Sequence, residues 1–549
     1  MTIARKITAL LLAAAMASAL FSGCGKENTP VDDIPGDKHY YEGEVQIVLS
    51  DDGITADGKS VAENIGKVNI SSDVIYYEDK DFYESGNPYG EGTSADRHTA
   101  KEAAKVTVVN ITKAGYYRLT GKLSNGQIRV DLGKDADEDE SAVVNLILDG
   151  LDINCDVAPA ILFMNVYECD NEWDKDTATS SVDTSNAGAN VIIADGSTNN
   201  VEGAYVAKIF KDNDKEKKLW KQDAAFYSYM SMNINGEGNE TGVLNITADN
   251  EGLGTELHLT LNSGNINIFS GNDGINTNKD DVSVTTINGG NLHIMAGLGA
   301  EGDGIDSNGW LVINGGTVVS AAKPISDAGL DSSLGSFVNG GTVIALGSTM
   351  DWAESDSQQV TMNLQFDGYK AKNSAIIVTK EDGSVVFAYD PAKDSIAGSN
   401  IREYIGAVIS CPQFATGETY NVYVGQSTDS NDAVTGSHTN GIYDVSTITV
   451  ANGVQQAYTG TDVGFGGFGG GRPPQFYGER PQMDGEPPQF NGEPPQFNGE
   501  MPQFDGEAPK FNGERPQMGG SSADILEAHT AFYMKDKVNS FSGVSDYTV

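Results

Sequence analysis

The sequence has few basic residues, few cysteines and few prolines outside one segment. It contains 35 Lys and Arg against 78 Asp and Glu in 549 residues, a formal net charge of −43. A protein that binds nucleic acid neutralises phosphates with a basic surface, so this charge excludes that class of partner. The four Cys are too few for a disulfide scaffold, and no CxxC or HExxH motif indicates a zinc site.

The N-terminus has the pattern of an export signal. Two basic residues precede an apolar run over 7–20, which is shorter than the roughly 20 residues of a membrane-spanning helix. Residues 21–24 (FSGC) resemble the lipobox of bacterial lipoproteins. We therefore predict a signal peptide over 1–23, a tether over 24–44, and a protein anchored on the extracellular face of the cell membrane by lipid at Cys24 alone. The alternative is an ordinary cleaved signal followed by an unmodified Cys.

Three further cysteines remain in the chain, namely Cys155, Cys169 and Cys411. An odd number leaves at least one thiol free. A bridge between Cys155 and Cys169 is compatible with export, but spacing alone cannot establish it. The alternative is three small buried side chains.

The body of the chain alternates short apolar strands with Gly, Asn and Asp turns. From about Val106 the apolar residues recur with period 2, which is typical of β-strands. Residues 45–105 are predicted as an N-terminal strand or cap region. The main exception to the strand pattern is 211–223 (KDNDKEKKLWKQD), which we interpret as an inserted charged excursion.

One turn-and-strand unit repeats at nearly constant spacing. Its corners begin at Asn262, Asn288, Asn314 and Asn339, and are 26, 26 and 25 residues apart. A unit of this size cannot bury its apolar face alone, so it must stack on its neighbours. Stacking one coil per repeat predicts an all-β fold, a parallel β-helix (solenoid) in which the Asn-Gly-Gly corners form a column. A propeller requires longer repeats, and a sandwich gives no reason for this spacing.

Acidic turns lie between these strands. They share an acid, one or two small residues, an apolar anchor and then an acid or amide, contributed by Asp273, Asn276, Asp303, Asp306, Asp327 and Asp331. Stacked carboxylates repel one another unless a cation neutralises them, and Asp and Asn oxygens in flexible turns suit Ca²⁺. Only Lys279 and Lys323 supply positive charge between 260 and 350. We therefore predict a calcium role for the six residues; the alternative is turns selected for backbone shape and solubility.

The ordered set of motifs resembles a known family. The segments that carry the resemblance begin at Ile111 (ITKAGYYRLTG), Gly126 (GQIRVD), Asn145 (NLILDGLDI), Asn233 (NINGEG) and Gly242 (GVLNI), and are followed by the DGIN and GDGID turns. They are similar to the bacterial extracellular carbohydrate-binding domain-containing family, frequent in clostridial lipoproteins. The resemblance implies a right-handed parallel β-helix similar to pectate lyases, here over 106–463. It also implies bound calcium and binding of plant cell-wall polysaccharide, either acidic pectin-like polymers or cellulose.

Three functions are compatible with this resemblance. We favour a non-catalytic, calcium-dependent carbohydrate-binding module, with Trp310 and Trp352 as candidate sugar-stacking residues or, alternatively, as core or end-cap residues. A polysaccharide lyase is the second possibility, but it needs a basic residue as proton acceptor, and Lys279 and Lys323 are the only local ones. His258 and His293 are interpreted as partly exposed strand residues. A structural or adhesive surface protein without a defined sugar is the third. The sequence does not indicate an oligomeric state.

The C-terminal part contains seven near-repeats of seven residues. They run from Gly471 to Gly519 within a Gly- and Pro-rich segment assigned to 464–520. Proline in every unit excludes a coiled coil, and the composition is that of a disordered insertion. Residues 521–549 return to a strand-like pattern, so we expect them to pack back on the body.

Overall fold

The computed structural model describes residues 39–78, 92–170, 174–210, 218–349, 351–426, 432–450, 455–458, 461–462 and 532–546. The export signal, Cys24, the heptapeptide repeats and most of the tether lie outside these residues. The chain divides into two compact units. The first comprises residues 1–294 and 306–317, and the second comprises residues 295–305 and 318–549.

Regular structure is almost entirely β, as the sequence predicts. The described residues contain one α-helix, Ala100–Ala103, whose four residues begin at a capping box between Thr99 and Glu102. The 3₁₀ turns are Ala136–Glu138, Pro391–Lys393 and Gly398–Asn400. Within the part of the chain that is described, no helix is long and apolar enough to cross a membrane.

The strands of the first unit form three ladders, which the chain visits in a constant order from Thr107 onward. The first ladder contains Val45–Leu49, Gly115–Leu123, Val144–Cys155, Ala189–Ile193, Met232–Gly236, Leu259–Leu261, Val284–Ile287 and Trp310–Ile313. The second contains the ends of Gly115–Leu123 and Val144–Cys155, followed by Thr198–Gly203, Val243–Ala248, Asn265–Ser270 and Asn291–Met295. The third contains Val68–Ser71, Thr107–Ile111, Gly126–Asp131, Ile161–Asn165, Ala224–Ser228, Glu251–Thr255 and Ile275–Thr277. The pairing within the ladders is parallel except between Val68–Ser71 and Thr107–Ile111.

Parallel pairing in register places equivalent side chains in columns. In the first ladder the paired residues of one inward column are Val45, Tyr117, Leu146, Val191, Ile234, Leu261, Ile287 and Ile313. All eight are at most 2% exposed. Because each fully buried side chain of this size stabilises the fold by about 1.5–3 kcal/mol, such columns hold successive coils together.

The corners of the repeat also form a column. The side-chain amide of Asn262 donates to Asn235 at 3.1 Å, Asn288 donates to Asn262 at 2.9 Å, and Asn314 donates to Asn288 at 3.0 Å. The main-chain conformation at the second glycine of the corner requires glycine at that position. Gly290 has a φ of +79°, and a Cβ there would lie 2.4 Å from the carbonyl oxygen of Gly264.

The third ladder is buried on both faces. The side chains of Leu162, Met164 and Tyr227 pack with Ala224 against Ile75 and Tyr229. Strands Val206–Phe210 and Lys218–Gln222 pair antiparallel as a hairpin. Part of the segment interpreted as a charged excursion is therefore a paired strand, because the main chain of 218–222 pairs with Val206–Phe210. A second hairpin, Thr55–Ala56 with Lys59–Ser60, pairs antiparallel to Val45–Leu49.

A buried arginine ties the N-terminal segment to the first ladder. Arg118 is 1% exposed, and its Nε lies 2.6 Å from a carboxylate oxygen of Glu44. Asp149 and Glu237 approach the same guanidinium at 3.4 and 3.5 Å. The guanidinium also donates to the carbonyl oxygen of His39. A charge this deeply buried requires such partners.

The second unit begins with short strands of the repeat and continues with longer antiparallel ones. Its strands, two of which begin or end in the first unit, are Ile305–Ser307, Thr317–Ala321, Asp331–Ser332, Gly335–Val338, Thr342–Gly347, Thr361–Lys370, Ser374–Lys380, Val385–Tyr389, Tyr404–Ser410, Thr419–Gln426, Val434–Thr435, His438–Thr439, Ile442–Tyr443, Thr449–Val450, Gln455–Tyr458, Thr461–Asp462, Phe532–Tyr533 and Val538–Asp546. Tyr404–Ser410 pairs antiparallel with both Thr342–Gly347 and Thr361–Lys370.

Parallel pairing therefore does not continue through the whole of 106–463. After the last repeat corner, tight turns such as the one between Ser374–Lys380 and Val385–Tyr389 reverse the chain directly and produce antiparallel hairpins. Near the C-terminus, Val538–Asp546 lies parallel to Thr361–Lys370. The three described cysteines are free thiols, with Cys155 and Cys411 buried and Cys169 half-buried, so the possible Cys155–Cys169 bridge is not formed.

Candidate functional site

The first two predicted calcium residues lie in a buried polar cluster at the third ladder. Asp273 and Asn276 are 8% and 7% exposed, and the side-chain amide of Asn276 donates to Glu251 Oε1 at 3.0 Å. The main-chain N–H of Gly252 donates to the carbonyl oxygen of Asp273 at 3.0 Å, which joins the two turns. Two side-chain oxygens in this cluster, Glu251 Oε2 and Asn276 Oδ1, are buried without a hydrogen-bond partner.

Unpaired buried oxygens carry a cost, because each has lost its water without a replacement. Burial raises the pKa of Glu251 well above its usual value, and the neighbouring carboxylates of Asp223 and Asp273 raise it further. A positive charge placed between these oxygens would lower the pKa of Glu251 and would give both oxygens a partner. The cluster is therefore chemically suited to a hard cation.

A protein cation already reaches part of this cluster. Lys221 Nζ lies 2.6 Å from Asp223 Oδ2. Burial alone would lower the pKa of Lys221, but the carboxylates of Asp223 and Glu251 reverse this and raise it. Lys221 lies outside the 260–350 range in which the sequence offers only Lys279 and Lys323, so the sequence did not indicate this cation. The ammonium of Lys221 therefore offsets part of the negative charge of this cluster.

Glu251, Asp223 and Lys221 were absent from the predicted site. Glu251 had a usable signal, because Asn250-Glu251-Gly252-Leu253 has the same form as Asn272-Asp273-Gly274-Ile275, and Leu253 pairs in register with Ile275. The turn was missed because its coil lacks the Asn-Gly-Gly corner on which the repeats align. Lys221 comes from the hairpin and has no signal in the repeat.

In the second unit, Asp303 and Asp327 stabilise one another's turns. Asp303 Oδ1 accepts from the main-chain N–H of Ala328 at 2.6 Å, and Asp327 Oδ2 accepts from the N–H of Gly302 at 2.8 Å. This reciprocal pattern satisfies main-chain donors of adjacent turns. It is the arrangement expected if these carboxylates are selected for turn structure.

Asp331 lies beside a carboxylate that the sequence did not indicate. The N–H of Ser332 lies between Asp331 Oδ1, at 2.8 Å, and Asp351 Oδ2, at 3.1 Å. Burial and the charge of Asp331 raise the pKa of Asp351 to about 8, and burial also raises the pKa of Asp331. The two carboxyl groups therefore hold a proton between them at neutral pH in the absence of a cation.

The remaining predicted site residues are distributed over both units. Trp310 is half-buried at the start of a first-ladder strand, where Val284 is its register partner. Trp352 is half-buried, and its main-chain N–H donates to Asp351 Oδ1 at 2.9 Å. Asp306 is half-buried on Ile305–Ser307. The interpretation of His258 and His293 as partly exposed is wrong, since they are 1% and 4% exposed.

Acidic side chains by themselves do not complete a metal site in the described residues. No group of three or more His, Cys, Asp or Glu there is arranged to hold a metal ion. A cation at Glu251 would therefore also need oxygens from the Asn276 amide and from the main chain, which are ligands that Ca²⁺ accepts.

Comparison with known proteins identifies a matching family model. A family model described as "Carbohydrate-binding domain-containing protein" matches residues 104–403. No curated protein matches significantly. Among solved structures, the gadolinium derivative of a polysaccharide lyase-like protein from C. thermocellum is 22% identical, over 54% of this chain and 92% of that one, with a TM-score of 0.32. Chitinase ChiW from Paenibacillus sp. str. FPU-7, a multi-modular cell-surface-expressed enzyme, is 12% identical over 64% of this chain and 24% of its own, with a TM-score of 0.14. Both structural similarities are too distant to support an argument about function.

Proposed function

Because the chain belongs to the family of carbohydrate-binding domain-containing proteins, we propose that it is a non-catalytic, calcium-dependent binding protein for cell-wall polysaccharide at the cell surface. The observation that carries the proposal is the family match over 104–403, which includes all the acidic turns and every ladder strand except Val45–Leu49 and Val68–Ser71. The polysaccharide is an acidic pectin-like polymer or cellulose. In this proposal Cys24 holds the protein at the extracellular face of the membrane through lipid.

The proposed scaffold is a right-handed parallel β-helix. Three ladders visited in constant order, with in-register columns at the strands and the corners, support one coil per repeat. Such a scaffold repeats the same surface groups at intervals of about 4.8 Å. A repeating surface suits a polymer with a repeating sugar unit.

The proposed calcium site in the first unit is the cluster of Glu251, Asp273 and Asn276. Two buried side-chain oxygens without a hydrogen-bond partner among the described residues, and the raised pKa of Glu251, which a bound cation would lower, support this choice. Asp331 with Asp351 is a second proposed site, supported by the two carboxyl groups that approach the same N–H. Calcium bound at either site would neutralise charge in the turns, and calcium at the half-buried Asp331 and Asp351 would also bridge to carboxylates of an acidic polymer.

The lyase alternative requires a proton acceptor beside the calcium. A lysine can serve only where its surroundings lower its pKa, so that the neutral amine is present. Lys221, the basic residue in the first-unit cluster, has the opposite property, because the surrounding carboxylates raise its pKa. This supports binding without catalysis at that cluster.

The test uses the mature chain without lipid, residues 25–549, after chelation. Calcium uptake is measured by titration calorimetry in the wild type, in Glu251→Gln and in the matched control Glu202→Gln, whose carboxylate is exposed on the second ladder. We expect uptake that Glu251→Gln weakens at least tenfold and Glu202→Gln leaves unchanged. Equal calcium uptake in the two variants would show that Glu251 is not part of a calcium site.

Retention on insoluble pectin and cellulose, with and without calcium, then tests the carbohydrate. Retention that depends on calcium supports the proposal. If neither material retains the protein, the result contradicts the proposal. Release of unsaturated uronates from pectin, read as ultraviolet absorbance, would instead establish the lyase alternative.

A further inference from the structure

The first unit contains a concave pocket that none of the predicted residues occupies. Its volume is about 300 Å³, at the lower end of the range for small-molecule sites, so it suits one small unit rather than a polymer segment. The inner wall includes His258, Val282 and Cys169, and the mouth is formed by Asp170 with residues 177–179 and 181–183. His258 and Val282 are 1% and 2% exposed, whereas Thr177, Thr179 and Asp183 are exposed.

The hydrogen bonds of His258 define its protonation state. Its Nδ1 accepts from the main-chain N–H of Val284 at 3.1 Å, so this nitrogen carries no proton. Its Nε2 lies 3.1 Å from Asp170 Oδ2 and therefore carries the single proton of a neutral ring. Burial lowers the pKa of His258, and the carboxylates of Glu168 and Asp170 offset only part of this effect. The imidazole thus contributes no positive charge to the pocket.

The charges lining the pocket are negative. Asp170 and Asp183 contribute carboxylates, Thr177 and Thr179 contribute hydroxyls, and none of the described residues that line the pocket is Lys or Arg. Hydrogen bonds from Ser185 hold the pKa of Asp183 below its usual value, so Asp183 is ionised at neutral pH. Ionised carboxylates accept hydrogen bonds from hydroxyl groups strongly and repel anionic ligands. A ligand rich in hydroxyls and free of negative charge matches this lining.

The aromatic residue Trp310 lies on the first ladder, at a position equivalent to that of His258. His258 precedes Leu259, which pairs with Thr285, and Val284 pairs with Trp310. His258, Val284 and Trp310 are therefore equivalent positions on three successive strands, with Trp310 about 10 Å from His258 along the ladder. Their neighbours Leu259, Thr285 and Leu311 are fully buried on the inner face, so this column lies on the outer face.

We propose that this pocket is a subsite for one neutral sugar unit, in which Asp170 and Asp183 accept hydrogen bonds from sugar hydroxyls and Trp310 stacks on the adjoining unit. The inference rests on the proposed carbohydrate binding and adds a location and a ligand class. It assigns neutral sugars to the pocket and leaves uronates to the calcium-bearing turns. Cys169 takes no covalent part, because burial and Glu168 raise its thiol pKa to about 12.

The experiment measures binding of two soluble probes to the chelated mature chain by titration calorimetry. The probes are a cellulose-derived hexasaccharide and a hexagalacturonate. We expect the neutral probe to bind, and Asp183→Asn to weaken it about tenfold or more, since one charge-assisted hydrogen bond is replaced by a weaker one. The Asn side chain keeps the oxygen that accepts from Ser185. The matched control is Asp135→Asn, whose carboxylate is 83% exposed and does not line the pocket.

The outcomes separate this inference from the proposed function. Tighter binding of the hexagalacturonate, or equal affinity in Asp183→Asn and Asp135→Asn, overturns the subsite. Wild-type protein that is retained on polysaccharide but does not bind the neutral probe overturns the subsite and leaves the proposed function standing. Wild-type protein that binds neither probe nor polysaccharide overturns both.

Discussion

The carboxyl pair of Asp331 and Asp351 makes a prediction about stability and pH. The folded-state pKa of Asp351 is about 8, against an ordinary value of 3.8. Between these values the folded protein holds a proton that the unfolded chain has released. Stability is therefore greatest below about pH 4 for this group, and falls by about 1.4 kcal/mol per pH unit until the pH passes about 8.

The substitution Asp351→Asn removes this penalty. At pH 7 the raised pKa of Asp351 lowers the free energy of unfolding by about 4 kcal/mol, relative to a carboxyl group with the ordinary pKa. Asparagine resembles the protonated acid, because it keeps an oxygen for the N–H of Trp352 and presents a donor toward Asp331. We therefore expect the variant to be more stable than the wild type at pH 7 by up to about 4 kcal/mol, and the two to converge near pH 4.

The assay is urea unfolding from pH 4 to pH 8 in chelator, with hydrogen exchange of peptides covering 327–357 as the local readout. The control Asp356→Asn removes an exposed carboxylate five residues away and should keep the wild-type slope. Equal slopes for the wild type and Asp351→Asn would refute the reasoning. Calcium, if it binds the pair as proposed, should flatten the wild-type slope and leave the variant unaffected.

Two further predictions concern the scaffold. Gly290→Ala places a Cβ against the carbonyl oxygen of Gly264 at a positive φ, so it should lower the free energy of unfolding by about 1–3 kcal/mol in a denaturant titration, whereas a loss below about 0.5 kcal/mol would contradict the stacked corner. Arg118→Met leaves three buried carboxylates without their cation, so it should cost about 3–5 kcal/mol at pH 7, and part of this cost should disappear at low pH as the carboxylates are protonated. A pH-independent cost would show that packing, and not charge, is lost.

Much of the fold follows from local periodicity. Period-2 alternation selects strands because successive side chains point to opposite faces, and corners spaced 25–26 residues apart bring Asn262, Asn288 and Asn314 into one column. The same reasoning could not indicate where parallel pairing stops. The turns after the last corner decide where parallel pairing stops, and these turns do not repeat in the sequence.

The sequence by itself determined the all-β class, the parallel pairing of successive repeats and the acidic character of the turns. These features depend on short-range spacing. Only the tertiary structure decided which charges meet. Lys221 on its hairpin comes close enough to Glu251 for the two charges to interact, Glu251 joins Asn276 across a coil, and Asp351 approaches Asp331 from 20 residues away. A charge is felt over a few ångströms regardless of its separation along the chain, so acidic turns alike in sequence acquire different environments.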